Sequence, residues 1–541
     1  MNTAPEDRTR RVALKKPRTW VVACIVFVLA FDLAFFWQRT GEAYVSEFGA
    51  HPDEAAHYVT GLFVRDALVM TGKYAAGGFQ GAPVRVGKEF ADAYYAHYPK
   101  IGLGVWPPFF YLVQAAWTLP FSPSRASLLL LLCALAAVVA TQLFRVLREE
   151  YGIGPAALGA ALWLSLPLAR NGYGMVMAET LSAGLMFGAV LAFGDFLDRE
   201  KRGDALRFGL LAALAILTKG TGLALALAAP LALLGTGRWH LLKRPVLWMA
   251  VLLVAVLAGP WTWATRHLGQ GGWEEPSPSW HFTAQALPYY AVKFGLGLGV
   301  AMLLLFGIGA FVKVRANSAH RGRWAAAGAF VVSVVVFQSL APVGLEARHL
   351  IPLLPAAIMF AVAGFVALTT SWRRQGLVAA LGVLVVAGSV IPLEKKGCRG
   401  FEPLAEAVLR EAGPNEVTLV SSEARGEGMF IAEVAMREPR PGHIIQRASK
   451  ALASSTWSGG GYAPQYADDA ALLAFLTGGK IQYLVLDDAI PEPKRCAHHD
   501  QLKRVVEGHA DRFRLLEESE IIRGGEPQLA PVRLYKVQPK G

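Results

Sequence analysis

Charged side chains are scarce: they make up 17% of the 541 residues, against about 25% in ordinary soluble domains. Hydrophobic residues account for 54%, with a mean hydropathy of +0.37. That balance excludes a soluble globular protein and leaves a polytopic membrane protein, with the bilayer as its main solvent. Cysteine is rare as well. Cys24 and Cys133 lie in apolar runs, Cys398 and Cys496 in a polar tail. No CxxC or Cys/His ligand spacing appears, which argues against a structural zinc site. Internal repeats and long low-complexity segments are lacking too. Acids are outnumbered by Lys and Arg, 41 to 53, for a formal charge of +12. The basic residues are dispersed among apolar runs rather than gathered beside stacking aromatics, so no nucleic-acid partner is expected. A bias of cations toward the cytoplasmic side of a membrane explains them better.

Residues 1–19 read as a basic cytoplasmic tail. The apolar run 20–37 follows, and Phe35, Phe36, Trp37 and Gln38 lack the small-residue pattern of a signal-peptide cleavage site. It is read as an uncleaved first span. Residues 38–125 form a long first outer loop, with 72–88 as an irregular segment. Trp106, Pro107 and Pro108 open a short apolar run expected to lie along the outer interface. Further runs cover 126–144, 155–169, 175–196, 206–217, 220–234, 246–264, 289–312, 324–341, 350–368 and 377–391, about eleven spans in all.

An odd number of spans puts the termini on opposite sides. The loops expected inside carry Arg145 and Arg148; Arg199, Lys201 and Arg202; Arg238, Lys243 and Arg244; Lys313, Arg315, Arg321 and Arg323; and Arg373 and Arg374. Outer connections hold isolated cations: Arg170, Lys219, Arg266 and Arg348, with Lys293 near the outer end of a span. The expected organisation is a transmembrane domain over 20–393 and a small extracytoplasmic α/β domain over 394–541. Strands are expected at 417–420, 481–486 and 532–535, and helices near 401–412 and 500–507. The expected location is the cell inner membrane with the C-terminal domain periplasmic, where Cys398 and Cys496 are candidates for a disulfide.

The chemistry centres on His51-Pro52-Asp53-Glu54, two adjacent carboxylates just after the first span. Taken alone, the pair reads first as acids in the opening turn of a helix, favoured by the helix dipole. Other features point to more. Glu179 begins a span at the same outer depth, Lys219-Gly220 interrupts an apolar stretch there, and Glu346-Ala347-Arg348-His349 stands at another mouth. Each cation alone reads as an interfacial anchor. Three acids and several cations on one membrane face describe a site able to activate a hydroxyl and hold a phosphate.

These residues carry a family resemblance. His51-Pro52-Asp53-Glu54, Trp106-Pro107-Pro108-Phe109-Phe110-Tyr111, Leu217-Thr218-Lys219-Gly220 and the 348–355 segment from Arg348 to Pro355 occur in the order seen in C-type (GT-C) membrane glycosyltransferases. The chain resembles the branch holding protein O-mannosyltransferases and the lipid A aminoarabinose transferase, over roughly residues 20–370. That likeness implies a GT-C fold and transfer of a sugar from a polyprenyl-phosphate donor to a lipid, glycan or protein acceptor on the outer face. It also implies a catalytic role for Asp53. Glu179 stands where the family commonly has Asp, and Val105-Trp106 replaces the lysine expected before the two prolines.

The expected site is therefore Asp53, Glu54 and Glu179 as catalytic acids, with Lys219, Arg348 and Arg170 on the donor phosphate. His57, Tyr58, Trp106, Tyr111 and Arg266 would line the cavity. No cofactor is required, and a divalent metal on Asp53, Glu54 and Glu179 is left open. The competing reading is a transporter or flippase for a lipid-linked or anionic substrate, which would more often place charges near the middle of spans.

Overall fold

Leu, Val and Ala dominate the long runs, and such stretches satisfy every backbone polar group internally by coiling into helices. The computed structural model describes residues 19–76, 83–270, 273, 275, 277–315, 320–369, 397–455 and 460–539, and it is predominantly helical. Six helices are long and apolar enough to cross a membrane: Trp20–Thr40, Arg125–Tyr151, Glu179–Arg199, Pro245–Ala264, Arg321–Leu340 and Ala347–Leu368. Two bent pairs, Ile153–Ser165 with Pro167–Tyr173 and Trp280–Leu298 with Val300–Arg315, raise the number to eight if each is one span.

The count of eleven is thus not reached among the described residues. The expected span 289–312 falls on the second bent pair, broken by 104° at Gly299, whose φ of +75° suits a residue without a Cβ. The 206–217 run is part of Arg202–Thr218, whose first turns carry Arg202, Asp204 and Arg207. Of the expected loop 72–88, residues 72–76 and 83–88 are helical, within Glu54–Ala76 and Pro83–His97, and 77–82 lie outside the described residues. The tail 1–18, Arg373, Arg374, the span 377–391 and the 393/394 boundary lie outside the described residues.

Burial ranks the helices. In Glu179–Arg199, 89% of the apolar window is buried, against 11% in Trp20–Thr40 and 17% in Pro245–Ala264. Glu179–Arg199 is therefore the central element, with Arg125–Tyr151, Arg202–Thr218 and Arg321–Leu340 packed around it. Its Ala183, Gly184, Gly188, Ala189 and Ala192 keep its surface narrow, as close helix packing in a bilayer requires.

The C-terminal region carries a five-stranded sheet of β1 (Val417–Ser421), β2 (Ile444–Arg447), β3 (Tyr483–Asp487), β4 (Phe513–Arg523) and β5 (Glu526–Val537). The order is β2-β1-β3-β5-β4; β1 runs parallel to β2 and β3, and β5 antiparallel to β3 and β4. Alternate residues face opposite sides. Val420 and Val485 join the core shared with the helical bundle, while Leu419, Leu484 and Leu486 form a second core with Leu472, Leu502 and Val505. Burial on both faces gives these parallel strands their continuous apolar runs.

This region is fastened to the 38–125 connection. The helix Ala424–Arg437 packs on Glu54–Ala76, and a Cβ on Gly428 would meet the Ala55 Cβ at 3.0 Å. Arg440 Nε donates to Asp66 at 2.7 Å, and the Tyr98 hydroxyl donates to Glu438 at 2.6 Å. Glu47 accepts from the backbone N–H groups of Gly400 and Phe401 at 2.8 Å each and Glu402 at 3.2 Å, capping the helix Glu402–Glu411. Replacing Glu47 with Ala strands those buried donors and is expected to weaken the docking by about 1–3 kcal/mol. Faster limited proteolysis of the C-terminal region measures it; an unchanged cleavage rate would contradict this role.

The expected disulfide is not formed, and both cysteines are free. Cys398 is buried where its chain meets Ser46 and Glu47, whereas Cys496 heads the helix Ala497–Gly508 on the sheet's second core.

Candidate active site

Four chain segments converge on one charged cluster. Asp53 closes the turn before Glu54–Ala76, and Glu179 is the first residue of the central helix. Lys219 lies in extended backbone between Arg202–Thr218 and the short 3-10 turn Gly220–Ala224. Arg348 lies in the 3-10 turn Ala347–Leu353, just after Glu346. These are helix ends and breaks, where backbone changes direction and side chains can point at a common centre.

Arg348 Nη2 donates to Asp53 Oδ2 at 2.9 Å and Nη1 to Glu179 Oε1 at 3.3 Å, while Nε and Nη2 both address Glu346. Lys219 Nζ donates to the same Glu179 Oε1 at 2.6 Å. His51 Nε2 meets Glu346 Oε2 at 3.2 Å, and its Nδ1 accepts from the Asp53 backbone N–H at 3.1 Å. The planar fork of arginine suits this task, since its fixed donors bridge several carboxylates at once. Glu179 is 1% exposed, and its Oε2 has no hydrogen-bond partner among the described residues. A buried oxygen of that kind is an acceptor left without a donor, which is uncommon in folded proteins.

Electrostatics keep the rim acids ionised. Burial opposes the charge on Asp53, but the Arg348 guanidinium, helped by His51, wins and holds its carboxyl below the ordinary carboxylate range. The balance at Glu346 is alike: burial raises it, and His51 and Arg348 bring it down. Against the cluster lies His57, stacked on Trp106 at 4.2 Å between ring centroids and hydrogen-bonded through Nδ1 to the Tyr111 hydroxyl at 2.8 Å. Burial pushes its imidazole down to about 4 despite the nearby Asp53 and Glu179. It is a neutral ring in a wall of aromatics.

Other expected site residues are elsewhere. Glu54 is fully buried and turned away from Asp53: its Oε1 accepts from Arg125 Nη2 at 2.7 Å, Arg125 Nε at 3.0 Å and the Val176 N–H at 3.1 Å. Glu54 is committed to Arg125 and Val176, so the two neighbouring acids do not share one cavity here. The Tyr58 hydroxyl donates to the Pro123 carbonyl at 2.6 Å. The Arg170 guanidinium lies over Trp37 at 4.6 Å, and exposed Arg266 over Trp263 at 4.2 Å. None of these contacts reaches the cluster. The set Asp53, Glu54 and Glu179 therefore does not converge on a metal, and where a bridging cation would stand between Asp53 and Glu179 the Arg348 guanidinium already bridges them.

One member of the cluster, Glu346, is not assigned from sequence, although it stands two residues before Arg348 in the same motif.

The sequence matches the family model described as dolichyl-phosphate-mannose-protein mannosyltransferase over residues 105–263. Comparison with curated proteins finds no match. Among solved structures, ArnT from Cupriavidus metallidurans bound to undecaprenyl phosphate is similar at 14% identity, with a TM-score of 0.55 over 96% of this chain and 97% of that one. The apo form of the same protein gives 14% identity and a TM-score of 0.58 over 96% and 98%. At that identity the likeness is one of fold, and it extends over nearly the whole chain, sheet included. Bundle, sheet and motif order agree: the chain has the fold of the C-type (GT-C) membrane glycosyltransferases that its motifs resemble.

Proposed function

We propose that the chain is a membrane glycosyltransferase that moves a sugar from a polyprenyl-phosphate donor to an acceptor hydroxyl or phosphate on the outer, periplasmic face, with Asp53 as general base. The observation that carries this reading is Arg348 bridging Asp53 and Glu179, with Lys219 on the same Glu179 oxygen. Support for the donor comes from ArnT, solved with undecaprenyl phosphate bound.

Arg348 donates to Asp53 Oδ2, which leaves Oδ1 to take the acceptor proton. The acceptor oxygen then attacks the anomeric carbon as the bond to phosphate breaks, inverting that carbon. Lys219 spends one ammonium hydrogen on Glu179 and keeps two for the departing phosphate. Arg348 spends most of its donors on acids, so its larger part is to hold the cluster in place. Glu179 Oε2 is free to accept from a sugar hydroxyl or amine. Glu54 belongs to the scaffold, and the 394–541 domain lies on the acceptor side. Transfer of labelled sugar from a panel of polyprenyl-phosphate sugars tests the reading; donor binding without transfer to any acceptor in native membrane extract would refute it.

The pH profile carries a further expectation. Activity needs Asp53 ionised and falls when pH drops through its folded pKa. Because that value is lowered, the acid limb of kcat/KM should lie below about 4, the ordinary aspartate value. Arg348→Met removes the opposing charge and leaves burial, so the limb of the residual activity should move upward. An unmoved limb would show that another group sets it.

A further inference from the structure

In the C-terminal region, far in sequence from the Arg348 cluster, one helix start departs from the usual chemistry of its kind. Cys496 is the N-cap of Ala497–Gly508 and His499 the third helical residue, each side chain accepting from the other's backbone, with Cys496 N–H to His499 Nδ1 at 3.0 Å. Such a box ordinarily pairs Ser or Thr with Glu or Gln, and a thiol is a weak acceptor. The cap is poorly served by the residues that form it.

His498, next to them, is 2% exposed. Its Nδ1 meets the Tyr462 hydroxyl at 3.0 Å, and its Nε2 is buried without a hydrogen-bond partner among the described residues. Leaving such an atom unpaired costs about 1–3 kcal/mol, and no described residue supplies its partner. The ligand atoms of Cys496, His498 and His499 lie within 4.8 Å of one another, the one His/Cys/Asp/Glu trio of this kind among the described residues.

The outer partners of the rings are right for a metal. His499 Nε2–H faces the Ser422 carbonyl at 3.1 Å, which leaves Nδ1 with the lone pair. For His498, the Tyr462 hydroxyl accepts from the backbone N–H at 3.0 Å, and when it also accepts from Nδ1–H the lone pair is left on Nε2. Ligating histidines are oriented in this way by a bond from the second nitrogen. The position in the fold agrees. Ser422 follows the carboxyl end of β1, and the chain leaves β1 toward β2 but leaves β3 toward the opposite edge. Open α/β sheets bind ligands outside the carboxyl ends of strands at such a reversal.

We infer that Cys496 Sγ, His498 Nε2 and His499 Nδ1 bind one zinc ion, with a fourth position open. Mixed thiolate and imidazole donors suit Zn²⁺, with bonds of about 2.3 Å to sulfur and 2.0–2.1 Å to nitrogen. On binding, the Cys496 thiol releases its proton to solvent, and His499 exchanges its cap bond for the metal. The sequence gives no sign of this because Cys-x-His-His matches none of the standard zinc spacings; the turn of the helix and its cap bring the three together.

Metal-stripped full-length protein in detergent, purified by a tag free of histidine, tests the site by zinc titration against a chromogenic chelator. One zinc per chain with release of a proton is expected. Cys496→Ser and His498→Ala should each weaken binding at least about 10-fold in metal-free protein that is still folded, and zinc should protect Cys496 from alkylation in the wild type. Absence of zinc binding, binding by both variants equal to that of the wild type, or alkylation of Cys496 unaffected by zinc would each overturn the site.

Discussion

Replacing Asp53 with Asn is expected to lower turnover by about 10²–10⁴-fold, the range a positioned general base contributes, while leaving the protein folded and able to bind its donor. The substitution keeps the side-chain shape and lets the amide oxygen accept from Arg348, which still holds Glu179 and Glu346. What is lost is the basic oxygen. Because Arg348 keeps Glu179 and Glu346 as partners, the melt should fall far less than when a buried charge is left alone. The two readouts come from one preparation: labelled-sugar transfer for the rate and a thermal melt for the fold.

The adjacent acid should behave in the opposite way. Arg125→Met leaves Glu54 fully buried without its cation, and breaking a buried ion pair from one side costs about 3–5 kcal/mol. Arg125 also donates to the Ala43 carbonyl, and Glu54 accepts from the backbone of Ala50 and Val176. The pair thus pins the first connection to the starts of two helices. The expected result is a large drop in melting temperature with catalysis per folded molecule little changed. The double variant Glu54→Gln with Arg125→Met should recover part of the loss, since no lone charge then stays buried. A melt equal to wild type for the single variant would contradict this division of roles between neighbours.

Much of the candidate cluster was legible because chemistry in an apolar sequence stands out. Asp53, Glu179, Lys219 and Arg348 were each conspicuous as a charge at the end of an apolar run, and the structure brings those four together. The sequence could not separate Asp53 from Glu54, because that distinction depends on the direction of the first helical turn and on a partner 71 residues away. Arg170 and Arg266 looked like Lys219, yet each lies over a tryptophan ring, an arrangement hydropathy does not encode.

The fold was legible in the same uneven way. Apolar runs located the helices, but a run has no record of a 104° bend, so one expected span proved to be two helices. In the sheet, β1 and β3 were found because both their faces are buried. By contrast β4 carries Arg514, Glu517, Glu518 and Glu520, and β2 offers only Ile444 and Ile445. Such edge strands read as loops.

The most direct measurement is transfer of labelled sugar from a polyprenyl-phosphate donor by wild type and Asp53→Asn in parallel, with donor binding followed on the same samples. Transfer by the wild type, and binding without transfer by the variant, is the result expected of an Asp53-dependent glycosyltransferase. Full turnover by Asp53→Asn would contradict the assignment of the base. Donor binding and flux with no transfer by either protein would contradict the enzyme itself.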